Sequence, residues 1–351
     1  MSDHDVTNEI SGPDATGADA FGNSATGRTG EDGDFRYDAA VIGAGAAGLS
    51  AALVLSRARL RVAVVDAGQP RNAPAATLRG FLSRDGMAPA ALLAAGRAEA
   101  AGYGAHLVDA RADRVAAVPG GFSVRLAGGA GLTARRVLVA TGLRDELPDL
   151  PGVREQWGKG LLHCPYCHGH EVADRPLGVL GTHPGAVGQA LLLRHWSPDV
   201  ILFAHTLELT GDDRERLEAR GVAVAEGRVE RLATDGGRLY GVGLADGRTA
   251  PREAVFVVPR MTPADGLLTG LGCAVDDDGR VCVDASGRTG VPGVWAVGNV
   301  VDPRAQLITA AGAASAAAIA LHHDLAAEDT ARAVERLRAG RTPQAISPTG
   351  A

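Results

Sequence analysis

Three observations predict an α/β chain in which one strand–helix–strand unit is inserted into another. The apolar run from Tyr37 to Ile42 leads straight into Gly43-Ala44-Gly45-Ala46-Ala47-Gly48, then a helical stretch from Leu49 to Arg57 and a strand-like Arg61 to Asp66. A second pattern of the same kind occupies Leu177 to Ala204. After Gly266, strand-like segments return at Val281-Cys282-Val283 and Gly293 to Gly298, ahead of a small-residue helix from about Gln306 to Leu325. Interruption followed by return predicts two Rossmann-like, three-layer ββα dinucleotide-binding domains, the second inserted into the first.

The elements in order set the boundaries. Residues 1–35 read as a disordered acidic leader, because eight acids against Arg28 in residues 1–34 account for the net charge of −6. Residues 36–147 form the first part of the first domain, with β structure expected over 104–141: hairpin-like segments around His106 to Val118 and Gly121 to Leu126, closing on Val137 to Thr141. Pro148 and Pro151 open the second domain, 148–266, where 227–244 and 253–259 also read as β. Residues 267–330 complete the first domain, and 331–351 read as a C-terminal tail.

Composition removes several function classes. Outside its leader the chain is nearly neutral, which offers no footprint for nucleic acid. No apolar run is long enough to span a membrane, and the N-terminus lacks a signal-peptide pattern, so a cytoplasmic protein is expected. Four cysteines in such a chain do not suggest a disulfide scaffold, and Cys273 and Cys282 read as small buried core residues.

The first glycine run carries specific chemistry. Gly43 permits the tight turn, Gly45 lets backbone approach a pyrophosphate, and Gly48 allows close helix packing. Asp66, about 20 residues on, stands where an acid accepts hydrogen bonds from the adenosine ribose. The second turn, Gly181-Thr182-His183-Pro184-Gly185-Ala186, departs from this pattern. His183 replaces the middle glycine, Pro184 brings no N–H to an anion, and Ala204-His205-Thr206 supplies no arginine for a 2′-phosphate. NADPH is therefore a doubtful ligand, with His205, Arg214 and Arg216 the residues left to rescue it.

The remaining motif is Cys164-Pro165-Tyr166-Cys167, set within His163 to Glu171. Two thiols separated by two residues can close a small disulfide, and such motifs at helix starts lower one thiol's pKa. Pro165 suits a first helical turn. His168 can serve as base or acid near neutral pH, and Glu171 could orient it if the segment is helical. A c-type haem attachment would need export, and a structural zinc would need further ligands.

In one order, Gly43 to Gly48, Ala140-Thr141-Gly142, the Cys-x-x-Cys, Val294 to Gly298 and Thr309 to Gly312 resemble the low-molecular-weight thioredoxin reductases, class II pyridine nucleotide–disulfide oxidoreductases. The resemblance covers roughly residues 36–325. His168 directly after Cys167, where thioredoxin reductases usually have Asp, makes the motif closer to that of the FAD-dependent dithiol oxidases of the gliotoxin and holomycin type. It implies bound FAD held by Gly43, Gly45, Ala46, Ala47, Gly48, Asp66, Ala140, Thr141, Gly142, Gly298, Asn299, Gln306 and Leu307. It further implies Cys164 as the interchange thiol, Cys167 beside the flavin, His168 and Glu171 in catalysis, and a homodimer. Asn299 and Ala305 depart from the family's usual Asp and Arg. The expected partner is a small-molecule or peptide dithiol or disulfide, or a thioredoxin-like protein. An NADPH-dependent disulfide reductase and a flavin-bearing redox sensor remain open as alternatives.

Overall fold

The computed structural model describes residues 36–340; the acidic leader and residues 341–351 lie outside the described residues. β1 (Tyr37–Ile42) and β2 (Val62–Asp66) are almost wholly buried apolar strands, joined by α1 (Ala46–Arg57). After α2 (Pro89–Gly102), β3 (His106–Asp109) pairs in parallel with β2. Thus His106 to Val118 is not a hairpin: β4 (Ala112–Val118) turns instead into β5 (Gly121–Leu126) and β6 (Gly131–Val139) as an antiparallel meander.

β7 (Leu143–Glu146) leaves this sheet toward α3 (Val153–Gln156), β8 (Leu161–Leu162) and α4 (Pro165–His168). β9 (Leu177–Leu180), α5 (Gly185–Leu193), β10 (Val200–Phe203), α6 (Gly211–Ala219) and β11 (Ala223–Ala225) build the second strand–helix–strand layer. Beside it lies an antiparallel sheet of β12 (Val229–Asp235), β13 (Arg238–Leu244) and β14 (Thr249–Pro251). β15 (Ala254–Val257) completes a parallel sheet ordered β11-β10-β9-β15-β8. The chain returns through β16 (Arg260–Pro263), which pairs antiparallel with β7, so the two crossing segments lie side by side. After α7 (Gly266–Gly270), β17 (Val294–Ala296) rejoins the first sheet on β6, and α8 (Leu307–Ala339) closes the chain. Both parallel layers are Rossmann-like, as the sequence predicts.

Small residues let α1 and α8 pack closely. Ala51, Ala52 and Leu55 share one core with Ala314, Ala317, Ala318 and Leu321, over the buried Trp295. Two expectations change here. The last helix does not stop near Leu325, nor does a tail begin at 331, because Ala, Glu and Arg continue without a breaker to Ala339. Arg136 binds Asp324 at 2.6 Å and Glu328 at 2.7 Å, fastening the extension to β6. Second, Val281-Cys282-Val283 makes only isolated bridges, since Asp276 and Asp284 each accept two backbone N–H groups and fold their flanks into turns. Val281 points inward and Cys282 is exposed, so only Cys273 is buried as expected.

Candidate active site

The first glycine turn is built by contacts that leave no room for side chains at two of its three glycines. Gly43 has φ +102°, and a Cβ there would lie 2.4 Å from the Ala140 carbonyl oxygen; one on Gly48 would lie 1.8 Å from the Gly43 oxygen. Around Gly45 a Cβ meets nothing within 4 Å. That space belongs to a cavity of about 810 Å³. Gly43, Gly45, Ala46, Ala47 and Asp66 line it from one side. Asp66 accepts the Ala44 N–H at 3.1 Å, and its other oxygen faces Arg97 at 3.4 Å. Carboxylate lone pairs remain for a ribose.

The other walls come from distant segments. Ala140, Thr141 and Gly142 line the cavity, and Thr141 donates to the Ala264 carbonyl at 2.7 Å, tying the two crossing segments together. Gly298, Asn299, Gln306 and Leu307 line it from the start of α8. Asn299 accepts from Arg71 at 3.2 Å and donates to the Asp302 and Ala305 carbonyls at 3.0 Å, so it shapes the loop before α8.

Cys164 and Cys167 form a disulfide that opens onto this same cavity, with Cα atoms 5.2 Å apart. Cys164 caps α4: its sulfur accepts the Cys167 N–H at 3.2 Å, and Pro165 takes the first helical position. Gly169 admits the Trp196 ring, which a Cβ would meet at 2.8 Å. Tyr166, between the cysteines, packs edge-on against Trp196 and stays 70% exposed. Gln306 faces both sulfurs: its Oε1 lies 3.3 Å from Cys167 Sγ, and its Nε2 donates to Cys164 Sγ at 3.6 Å.

His163 and His168 flank the pair and line the cavity. Burial pushes the His168 imidazole below its ordinary pKa; Glu171 pulls upward, while Arg79 and His163 add to the fall. Burial also lowers His163, against the Val257 carbonyl 3.2 Å from its Nδ1. Glu171 sits in a short 3₁₀ turn and pairs with Arg79 at 2.9 Å, so its partner is that guanidinium rather than the imidazole.

The second turn is closed upon itself. His183 Nδ1 accepts the Gly185 N–H at 3.0 Å, taking a donor that a phosphate would use. His205 accepts the Val229 N–H, Arg214 pairs with Glu226 at 2.5 Å, and Arg216 lies 3.7 Å from Asp212.

Sequence reasoning missed Asp145. It is 8% exposed, lines the cavity and holds Arg71 through two hydrogen bonds of 2.8 and 2.7 Å. Arg71 itself reads from sequence only as a cavity or loop candidate. The pairing of β7 with β16, which places Asp145 opposite Met261, leaves no local signal.

The sequence pattern of the pyridine nucleotide-disulphide oxidoreductases matches residues 37–315. This chain belongs to that family. A probable thioredoxin reductase of Arthroderma benhamiae is 31% identical, over 84% of this chain and 82% of that protein. Thioredoxin reductase tcpT of Claviceps purpurea is 31% identical, over 75% of this chain and 86% of its own length. The crystal structure of HlmI is 61% identical with a TM-score of 0.86, covering 89% of this chain and 98% of that one.

Membership makes the chain a flavin-dependent disulfide oxidoreductase and implies FAD. The observed cavity fits that group. Gly45 keeps a cradle open for pyrophosphate, Asp66 offers ribose acceptors, and the sulfur pair lines the same cavity.

Proposed function

We propose that the chain oxidises a small-molecule or peptide dithiol to a disulfide, with oxygen as final acceptor and no need for NADPH. One observation carries this reading: His183 occupies the Gly185 N–H in the second dinucleotide turn. Pro184 beside it has no N–H, and the residues after β10 that could replace a phosphate clamp are engaged elsewhere.

The residues divide the work as follows. A neutral His168 takes the proton of an incoming thiol, since burial favours its uncharged form. The thiolate attacks Cys164 Sγ, the Cys164–Cys167 bond breaks, and its electron pair leaves on Cys167. The second substrate thiolate attacks the substrate sulfur of this mixed disulfide, closing the product and releasing Cys164 as thiolate. FAD held in this cavity would supply the two-electron acceptor for the reduced pair, with oxygen as the final oxidant and hydrogen peroxide as its product. Ile308 and Ile319 are exposed on α8 and support a homodimer as the working assembly.

The names of the relatives favour a second reading, an NADPH-driven reductase. Anaerobic stopped flow separates the two. A dithiol bleaches the flavin and NADPH leaves it yellow; rapid bleaching by NADPH would overturn the oxidase. Oxygen uptake over many turnovers excludes a sensor.

A further inference from the structure

Both sulfurs of the redox pair meet one carboxamide. Gln306 stands 139 residues beyond Cys167, at the N-cap of α8, with Oε1 3.3 Å from Cys167 Sγ and Nε2 3.6 Å from Cys164 Sγ. Neither sulfur of a disulfide carries a proton. Only the N–H contact is therefore a hydrogen bond in the oxidised pair, and the carbonyl finds its donor when Cys167 becomes a thiol.

We propose that Gln306 is a catalytic residue of disulfide exchange, its carboxamide holding the reduced pair as Cys164 thiolate and Cys167 thiol. Two donors then converge on Cys164 Sγ, the Gln306 amide and the Cys167 backbone N–H at 3.2 Å. One acceptor serves Cys167. The assignment suits the chemistry of release, because a thiol with lower pKa leaves faster. When the second substrate thiolate closes the product, the bond to Cys164 breaks and its electron pair departs on the sulfur that has two N–H partners. Cys167, released as a thiolate in the first exchange, takes the proton that His168 removed from the first substrate thiol, which frees His168 to accept the proton of the second.

The surrounding charges do not do this in its place. Among cavity-lining groups, Arg71 is bound by Asp145, and Arg79 faces Glu171 and Asp85. His163 and His168 both shift toward their neutral forms, and the hydrogen bonds at the two sulfurs come from Gln306 and the Cys167 N–H rather than from Arg304 or Asp66, which also line the cavity. The inference rests on exchange at Cys164–Cys167 and holds whichever way electrons run, so its failure leaves the direction of the reaction untouched.

The test is alkylation of the reduced holoenzyme by iodoacetamide across pH 6 to 9, with the labelled cysteine located by peptide mass spectrometry. Wild type is labelled at Cys164, with an apparent pKa below the ordinary thiol value of about 8.5. Gln306→Leu removes both contacts and slows labelling of Cys164 at pH 6.5 about five-fold or more. Gln306→Glu keeps an acceptor but adds a negative charge, and slows it further. Labelling of wild type at Cys167 overturns the assignment, as does a pH profile unchanged in Gln306→Glu. Should Gln306→Leu fail to fold, the site of wild-type labelling and the Gln306→Glu profile still decide.

Discussion

The imidazole of His183 accepts the amide hydrogen of Gly185, two residues ahead, at 3.0 Å. A donor at the start of α5 that could meet phosphate is thereby satisfied from within the turn. His183→Gly frees it, and we expect NADPH to bind at least ten-fold tighter to the variant than to wild type. Titration by calorimetry measures this. Equal affinities would remove His183 as the obstacle.

Gly45 and Gly48 look alike in sequence and differ in what surrounds them. Gly48→Ala forces a methyl against the Gly43 carbonyl, so the apoprotein should lose about 2–3 kcal/mol in urea unfolding. Gly45→Val meets open space and should leave apoprotein stability almost unchanged while abolishing FAD binding. A loss of stability in both variants would mean that Gly45 is a packing residue.

His168→Asn should keep the fold and the cofactor yet lower kcat/KM for a dithiol about 10²-fold at pH 7. Activity should recover partly toward pH 9, where thiols ionise unaided near their ordinary pKa of about 8.5. A pH-independent loss would assign His168 to positioning.

Three histidines, His163, His168 and His205, have pKa values lowered in the folded chain, each by burial first. The unfolded chain therefore binds more protons in the acidic range. Their stabilising contribution is fully present above the unfolded value of about 6.5 and is lost as pH falls through the lower folded values. The apparent Tm should drop between pH 7 and pH 5, and His163→Gln should flatten the slope. A Tm constant over that range would contradict the shifts.

Much of the fold was legible because its signals are local. A glycine turn between a buried strand and a helix, with a second strand after it, occurs at Tyr37 to Asp66 and again in altered form at Leu177 to Ala204, and marks both parallel layers. The cysteine pair announced itself by spacing alone. Contacts between remote segments did not: Arg71 meets Asp145 across 74 residues and Gln306 meets Cys167 across 139. Such pairs depend on how β7 and β16 cross and where α8 starts, and periodicity records neither. The overrun of α8 past Leu325 was missed for another reason. Its anchors, Arg135 and Arg136, lie on a strand 193 and 188 residues before their partners Glu328 and Asp324.

The late return of β17 to β6 has a consequence for synthesis. Val137, Leu138 and Val139 receive their partners Val294, Trp295 and Ala296 only after more than 150 further residues have been translated. The nascent first half thus waits with an open strand edge and an uncovered apolar face while the inserted unit emerges and closes on its own core. Maturation should run inside-out, the inserted lobe acquiring protease resistance on the ribosome before the lobe that began first.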